Sequence, residues 1–132
     1  MSQAIGRCYD LQSLFQRLNK LYFDESLQLE VRWSQREVPK ASRKVILGRF
    51  MPEEKLIVLS RRLDNPRVPL YFVEHVLFHE MLHAVFPRDD HRMHTESFKK
   101  FERMHPDYER AVQWERDSIR ILFEKSQAAL PL

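Results

Sequence analysis

Two histidines four residues apart, with a glutamate directly after the first, are the residues of this chain best suited to chemistry: His79-Glu80-Met81-Leu82-His83. On a helix, positions i and i+4 share one face about one turn apart, so both imidazoles can reach a single Zn²⁺. Glu80 falls on the neighbouring stripe. From there a carboxylate approaches a metal-bound water without ligating the metal, which is where a general base belongs. In a chain with 6 His, the motif arises by chance in roughly one sequence of this composition in fifty. Burying two histidines and a glutamate in an apolar stretch costs several kcal/mol unless partners satisfy them. The non-catalytic alternative is a hydrogen-bonded pair of core histidines. His75 stands one turn before His79, but Val76 follows it, so that register has no carboxylate. His75 reads as a supporting or surface residue.

Catalytic zinc takes three protein ligands and keeps a fourth position open. A metzincin would carry Gly at 86 and His at 89; the chain has Phe86 and Asp89, which excludes that class. Four candidates for the third ligand follow the motif: His91, His94, Glu96 and Glu102. His94 leads them. The ten residues between His83 and His94 let the chain turn back and start the next helix beneath the site. The reaction this arrangement supports is hydrolysis, with Glu80 taking a proton from the attacking water. Tyr71, Tyr108, Arg49 and His91 are the candidates for a second oxyanion donor.

These residues need elements to position them. Leu11, Leu14, Phe15, Leu18, Leu21 and Tyr22 recur every three to four residues, and Asp10 is suited to an N-cap, so the spacing predicts a helix over 10–23. Residues 27–33 alternate apolar and polar as a half-buried strand. Residues 45–50 and 56–60 read as two strands of a hairpin turning at 51–54. The most apolar stretch, 70–86, reads as the helix carrying the motif. Pro87 to His91 breaks it. A third helix is expected over 95–104, with Phe98, Phe101 and Met104 inward. A last one runs from Pro106 to about 127, with Val112, Ile119, Leu122 and Phe123 inward. The order α-βββ-ααα gives an α+β fold, with a small three-stranded, mostly antiparallel sheet packed on the motif helix and backing helices. Residues 1–132 read as one domain, with 109–132 a C-terminal helix and tail placed either as packing or across the cleft.

Composition bounds the rest. Apolar residues are 43% and charged residues 31% of 132, a globular balance. One Cys excludes an internal disulfide or a Cys-based zinc finger. No apolar run is long enough for a membrane span and no signal segment opens the chain, so the expected location is cytoplasmic. The net charge is +3, but residues 32–72 carry 10 basic and 4 acidic groups. A solvated basic face and weak nucleic-acid binding through this segment are the two readings. The second would use Arg32, Arg36, Lys40, Arg43, Lys44 and Arg49 with Trp33 and Phe50. The sequence does not specify an oligomeric state.

Several patches along residues 10–108 resemble, in order, the SprT-like zinc metallopeptidase group, including its small YgjP-like and minigluzincin relatives. They are Leu18-Asn19-Lys20-Leu21-Tyr22-Phe23 with Leu27, Val31-Arg32-Trp33-Ser34, Leu47-Gly48-Arg49-Phe50, Ile57-Val58-Leu59-Ser60, the motif helix, His94-x-x-x-Phe98, and His105-Pro106-Asp107-Tyr108. The resemblance implies a zincin-like fold, zinc held by His79, His83 and His94, Glu80 as catalytic base, and a peptide or protein substrate. Thr95 stands where the group often has Gly or Ser. The Cys-rich ribbon of larger members has no counterpart in a chain with one Cys. Two other functions stay open on this evidence: a SprT-like protein acting on DNA-bound proteins, and a latent or non-catalytic zinc-binding domain. A substrate strand is expected along a sheet edge, at 56–60.

Overall fold

Residues 4–35, 47–86 and 94–123 are described by a computed structural model. Asp10 starts the first helix: its carboxylate accepts hydrogen bonds from the Gln12 and Ser13 amides at 2.9 and 3.3 Å. Helix α1 spans Leu11–Tyr22 and buries Leu11, Leu14, Phe15 and Leu18, while Leu21 and Tyr22 stay exposed. The Asn19 side chain then clamps Leu27, donating to its carbonyl and accepting from its amide.

Strands β1 (Glu30–Trp33), β2 (Gly48–Met51) and β3 (Leu56–Leu59) form one sheet in the order β1-β3-β2. The hairpin expected from the sequence is β2–β3, antiparallel with Gly48 opposite Leu59. Chain reversal at that hairpin makes β3 run with β1, so the β1–β3 pair is parallel, Glu30 opposite Leu56. The sheet is therefore mixed. It also corrects the expected substrate edge: the strand at 56–59 is central, flanked on both sides. The outer strand beside the motif helix is β2. The Leu47 carbonyl accepts from the Ser60 amide at 2.8 Å. Antiparallel pairs alternate, so the main-chain groups of Gly48 and Phe50 face away from β3. The beginning of the expected strand, 45–46, lies outside the described residues.

Helix α2 (Leu70–Val85) enters from Pro69, an extended N-cap whose carbonyl accepts from the Phe72 and Val73 amides. It is apolar nearly all round, the pattern of a helix buried on several sides. Phe72, Val73, Leu77, Met81 and Leu82 have no exposed surface; each such side chain contributes roughly 1.5–3 kcal/mol. The sheet covers one flank. On another flank an ion pair between Arg17 and buried Glu74 ties α1 to α2.

Helix α3 spans Glu96–Arg103 and α4 spans Tyr108–Ser118, followed by a 3-10 turn over Ile119–Phe123. Thr95 caps α3 by accepting from the Phe98 amide at 3.2 Å, which accounts for a small hydroxyl residue directly after His94. Of the three apolar residues expected inward on α3, Phe98 is fully buried, but Phe101 and Met104 are 45% and 63% exposed. Helix α4 packs on α2 through Ala111 and through Trp114, whose ring lies 4.5 Å from that of Phe72. Residues 124–132 of the expected C-terminal helix and tail lie outside the described residues.

Candidate metal centre

His79 and His83 stand one turn apart on α2, and His94 comes to them from the residue before the Thr95 cap. Their rings form a near-equilateral triangle, with centroids 5.0, 4.9 and 5.1 Å apart. Phe98 lies against all three, stacked on His94 at 4.3 Å and reaching His79 and His83 at 5.0 and 4.9 Å. One fully buried ring thus sets the floor for three imidazoles. One nitrogen from each histidine lies within 4.8 Å of the others, a group that could hold a metal ion. The Nε2 atoms of His83 and His94 are 3.4 Å apart.

The other ligand candidates are placed differently. Glu102 meets His79 from behind, its carboxylate 2.5 Å from Nδ1. That contact leaves Nε2 of His79 to face the other rings. Burial alone would lower the His79 pKa, but the Glu102 hydrogen bond and charge outweigh it and hold it above its ordinary value. Burial likewise opposes the charge on Glu102, and His79 reverses this, holding Glu102 low. Glu96 is exposed at the start of α3, 3.9 Å from Lys99. His91 lies outside the described residues. His75 stays off the triangle. It is 8% exposed, its Nδ1 has no hydrogen-bond partner among the described residues, and burial drives its pKa down to about 4.

Glu80 is 6% exposed and its Oε1 has no hydrogen-bond partner among the described residues. Burial pushes its carboxyl up to about 7, against the pull of His79 and with a push from Glu102. A carboxyl in this range exchanges a proton readily near neutrality. Spacing along the sequence held no sign that β2 passes close to Glu80. A Cβ placed on Gly48 would sit 3.0 Å from Glu80 Cγ, 3.1 Å from Glu80 Oε2 and 2.9 Å from Leu59 Cδ2. Glycine at 48 is therefore what lets β2 pass over the carboxylate.

Glu80 and the histidines open on a groove of about 420 Å³, closed on its far side by Tyr108, Val112 and Glu115 of α4. Of the oxyanion candidates, Tyr108 lines this groove. Tyr71 instead holds the Arg110 guanidinium 3.9 Å over its ring, and Arg49 is exposed on β2. A second set of clustered side chains, Glu74, His105 and Asp107, lies away from the groove lining. Its members have protein partners: Arg17 for Glu74, Arg110 for Asp107, and the Asp107 amide for His105 Nδ1.

The model of the SprT-like family matches residues 11–120. The chain belongs to the SprT-like family. The match takes in every element from α1 through α4, so the groove wall on α4 is part of the family's span. No curated protein matches the chain. Within this SprT-like chain, no helix of the described residues is long and apolar enough to cross a membrane. Of the basic segment at 32–72, Arg36, Lys40, Arg43 and Lys44 lie outside the described residues. Trp33, expected as a stacking surface there, is in the core with its indole N–H donated to the Tyr9 carbonyl, and Phe50 is half-buried.

Proposed function

We propose that this chain is a zinc-dependent peptidase, with His79, His83 and His94 as the zinc ligands and Glu80 as the general base. The observation that carries it is the triangle of imidazoles beside a buried carboxyl group whose Oε1 has no hydrogen-bond partner among the described residues. The donor set fits zinc. Two nitrogens bound at the usual Zn–N length to one tetrahedral ion stand about 3.3 Å apart, and His83 Nε2 and His94 Nε2 are separated by 3.4 Å. Three neutral nitrogen ligands, with the groove on the remaining side, match a catalytic zinc with an open position. Bound zinc supplies Lewis-acid polarisation and acidifies water.

The chain's own residues do the rest. Glu102 holds the proton on His79 Nδ1 and fixes that ring's orientation. Phe98 keeps the three rings at their mutual distances. Glu80 accepts the proton of the attacking water at its carboxylate and returns it to the leaving amine. Metal binding alone requires no base here, so an intact and buried Glu80 favours catalysis over a scaffold role.

Elemental analysis of the wild type and of His94→Ala, both purified without added metal, tests the ligand set. The expected result is one zinc per wild-type chain and loss of most of it in the variant. Full zinc retention in His94→Ala would move the third ligand elsewhere. A wild type that takes up no zinc even on reconstitution would make His79 and His83 core residues and remove the peptidase reading.

A further inference from the structure

The groove is longer than the histidine site needs. Its floor follows one face of α2 from Phe72 and His75 to His79 and His83. At 1.5 Å per residue, that face extends roughly 16 Å along the helix. The histidines and Glu80 occupy one half. The other half lies between Phe72, His75 and Val76 on α2 and Tyr108, Val112 and Glu115 on α4, the last three on one helical face at i, i+4 and i+7.

Charge separates the two halves. Among the described residues no Lys or Arg lines the groove, while Glu80, Glu102 and Glu115 do. Glu102 is engaged by His79 and Glu80 stands beside the histidines. The Glu115 carboxylate, at the α4 rim, makes no hydrogen bond or ion pair among the described residues. The charged groups that act on Glu115 are His79 and Glu102, and His75 Nδ1, buried beneath the lining, has no partner of its own among the described residues. Around Glu115 the lining is apolar: Phe72, Val76, Val112 and the ring of Tyr108. A ligand complementary to this half has an apolar stem and a head that only donates hydrogen bonds and carries positive charge. Among protein side chains, lysine and arginine have that form.

We propose that the α4 half of the groove receives a lysine or arginine side chain of the bound peptide, with Glu115 as its ion-pair partner. The inference rests on the peptidase reading above and adds a substrate class to it. The outward main-chain groups of Gly48 and Phe50 on β2 offer an edge for the peptide backbone. His75 lies one helical turn from His79, about 6 Å along the axis, within the reach of a lysine or arginine stem.

The test uses the full chain and a peptide series in which each position in turn is arginine, norleucine or glutamate. Binding is measured by calorimetry on zinc-loaded Glu80→Gln, alone and combined with Glu115→Gln, Glu115→Lys or, on the exposed face of α4, Glu109→Gln. Cleavage of the same series is measured with the zinc-loaded wild type. One position should favour arginine over norleucine by roughly tenfold, the size of a charge-assisted hydrogen bond. Glu115→Gln should erase that ratio, Glu115→Lys should turn it toward glutamate, and Glu109→Gln should keep it. Equal binding of arginine and norleucine peptides, no binding of either, or a ratio that survives Glu115→Gln overturns the pocket. Cleavage without any such preference removes the pocket and leaves the peptidase standing. Preferential binding without cleavage of any peptide removes the peptidase and leaves the pocket.

Discussion

Glu102 decides which nitrogen His79 can offer. With the carboxylate 2.5 Å from Nδ1, that nitrogen keeps its proton and Nε2 is left for the triangle. Such outer partners raise the basicity of a histidine ligand and hold its ring in place. Glu102→Gln is expected to weaken zinc affinity roughly 10–100-fold, read by competition with a chelator at neutral pH; unchanged affinity would mean Glu102 does not support the ligand. At this scale the proximity of His79, His83 and His94 was legible in the sequence, because i, i+4 spacing on a helix and a short return loop translate directly into proximity. It was not legible for Glu102, since a residue near the site in space can be a ligand or a ligand's partner, and spacing does not distinguish them. Glu115 carried no signal beyond sharing a helical face with Tyr108 and Val112.

At the scale of elements, β2 acts on Glu80. It crosses Glu80 where residue 48 has no side chain, and an added Cβ would press on both Glu80 and Leu59. Gly48→Ala should displace the carboxylate. A misplacement of about 1 Å can cost on the order of 100-fold in rate, and overpacking typically costs about 1–3 kcal/mol of stability. Steady-state kinetics alongside zinc content would check it: kcat should fall with zinc retained, and wild-type kcat in the variant would contradict the close approach. Hydrophobic periodicity located all seven elements in order. It was silent on strand order, because the placing of β3 between β1 and β2 depends on contacts distant in sequence. It also overcounted the inner face of α3. A helix of eight residues laid against the histidines buries Phe98 and turns Glu102 to His79, which leaves Phe101 and Met104 on the outside.

For the whole molecule, the burial that positions the site also sets the response to acid. His75 is driven from 6.5 to about 4 by burial, opposed by Glu102 and reinforced by His79 and His105; burial lowers His105 as well, with Asp107 opposing and Arg17 reinforcing. A histidine lowered in the fold is neutral in both states above pH 6.5, and there its full contribution is present. As the pH falls from 6.5 toward 4, the unfolded chain takes the proton first and stability is lost. For His75 the loss by pH 4.5 is about 2 to 3 kcal/mol. Urea melts of the zinc-free wild type and His75→Gln at pH 7.5 and 4.5 should show the wild type losing that much more than the variant. Equal losses would mean that His75 is not desolvated in the fold.

The central claim is that Glu80 performs hydrolysis beside a metal held by three histidines. Its most direct measurement is peptide cleavage by the zinc-loaded wild type and by Glu80→Gln, with zinc counted in both by elemental analysis. The account predicts one zinc per chain in each protein, cleavage by the wild type, and a rate lower by about 100-fold or more in the variant. A zinc-loaded wild type that cleaves no peptide, or a Glu80→Gln variant that cleaves as fast as the wild type, would contradict it.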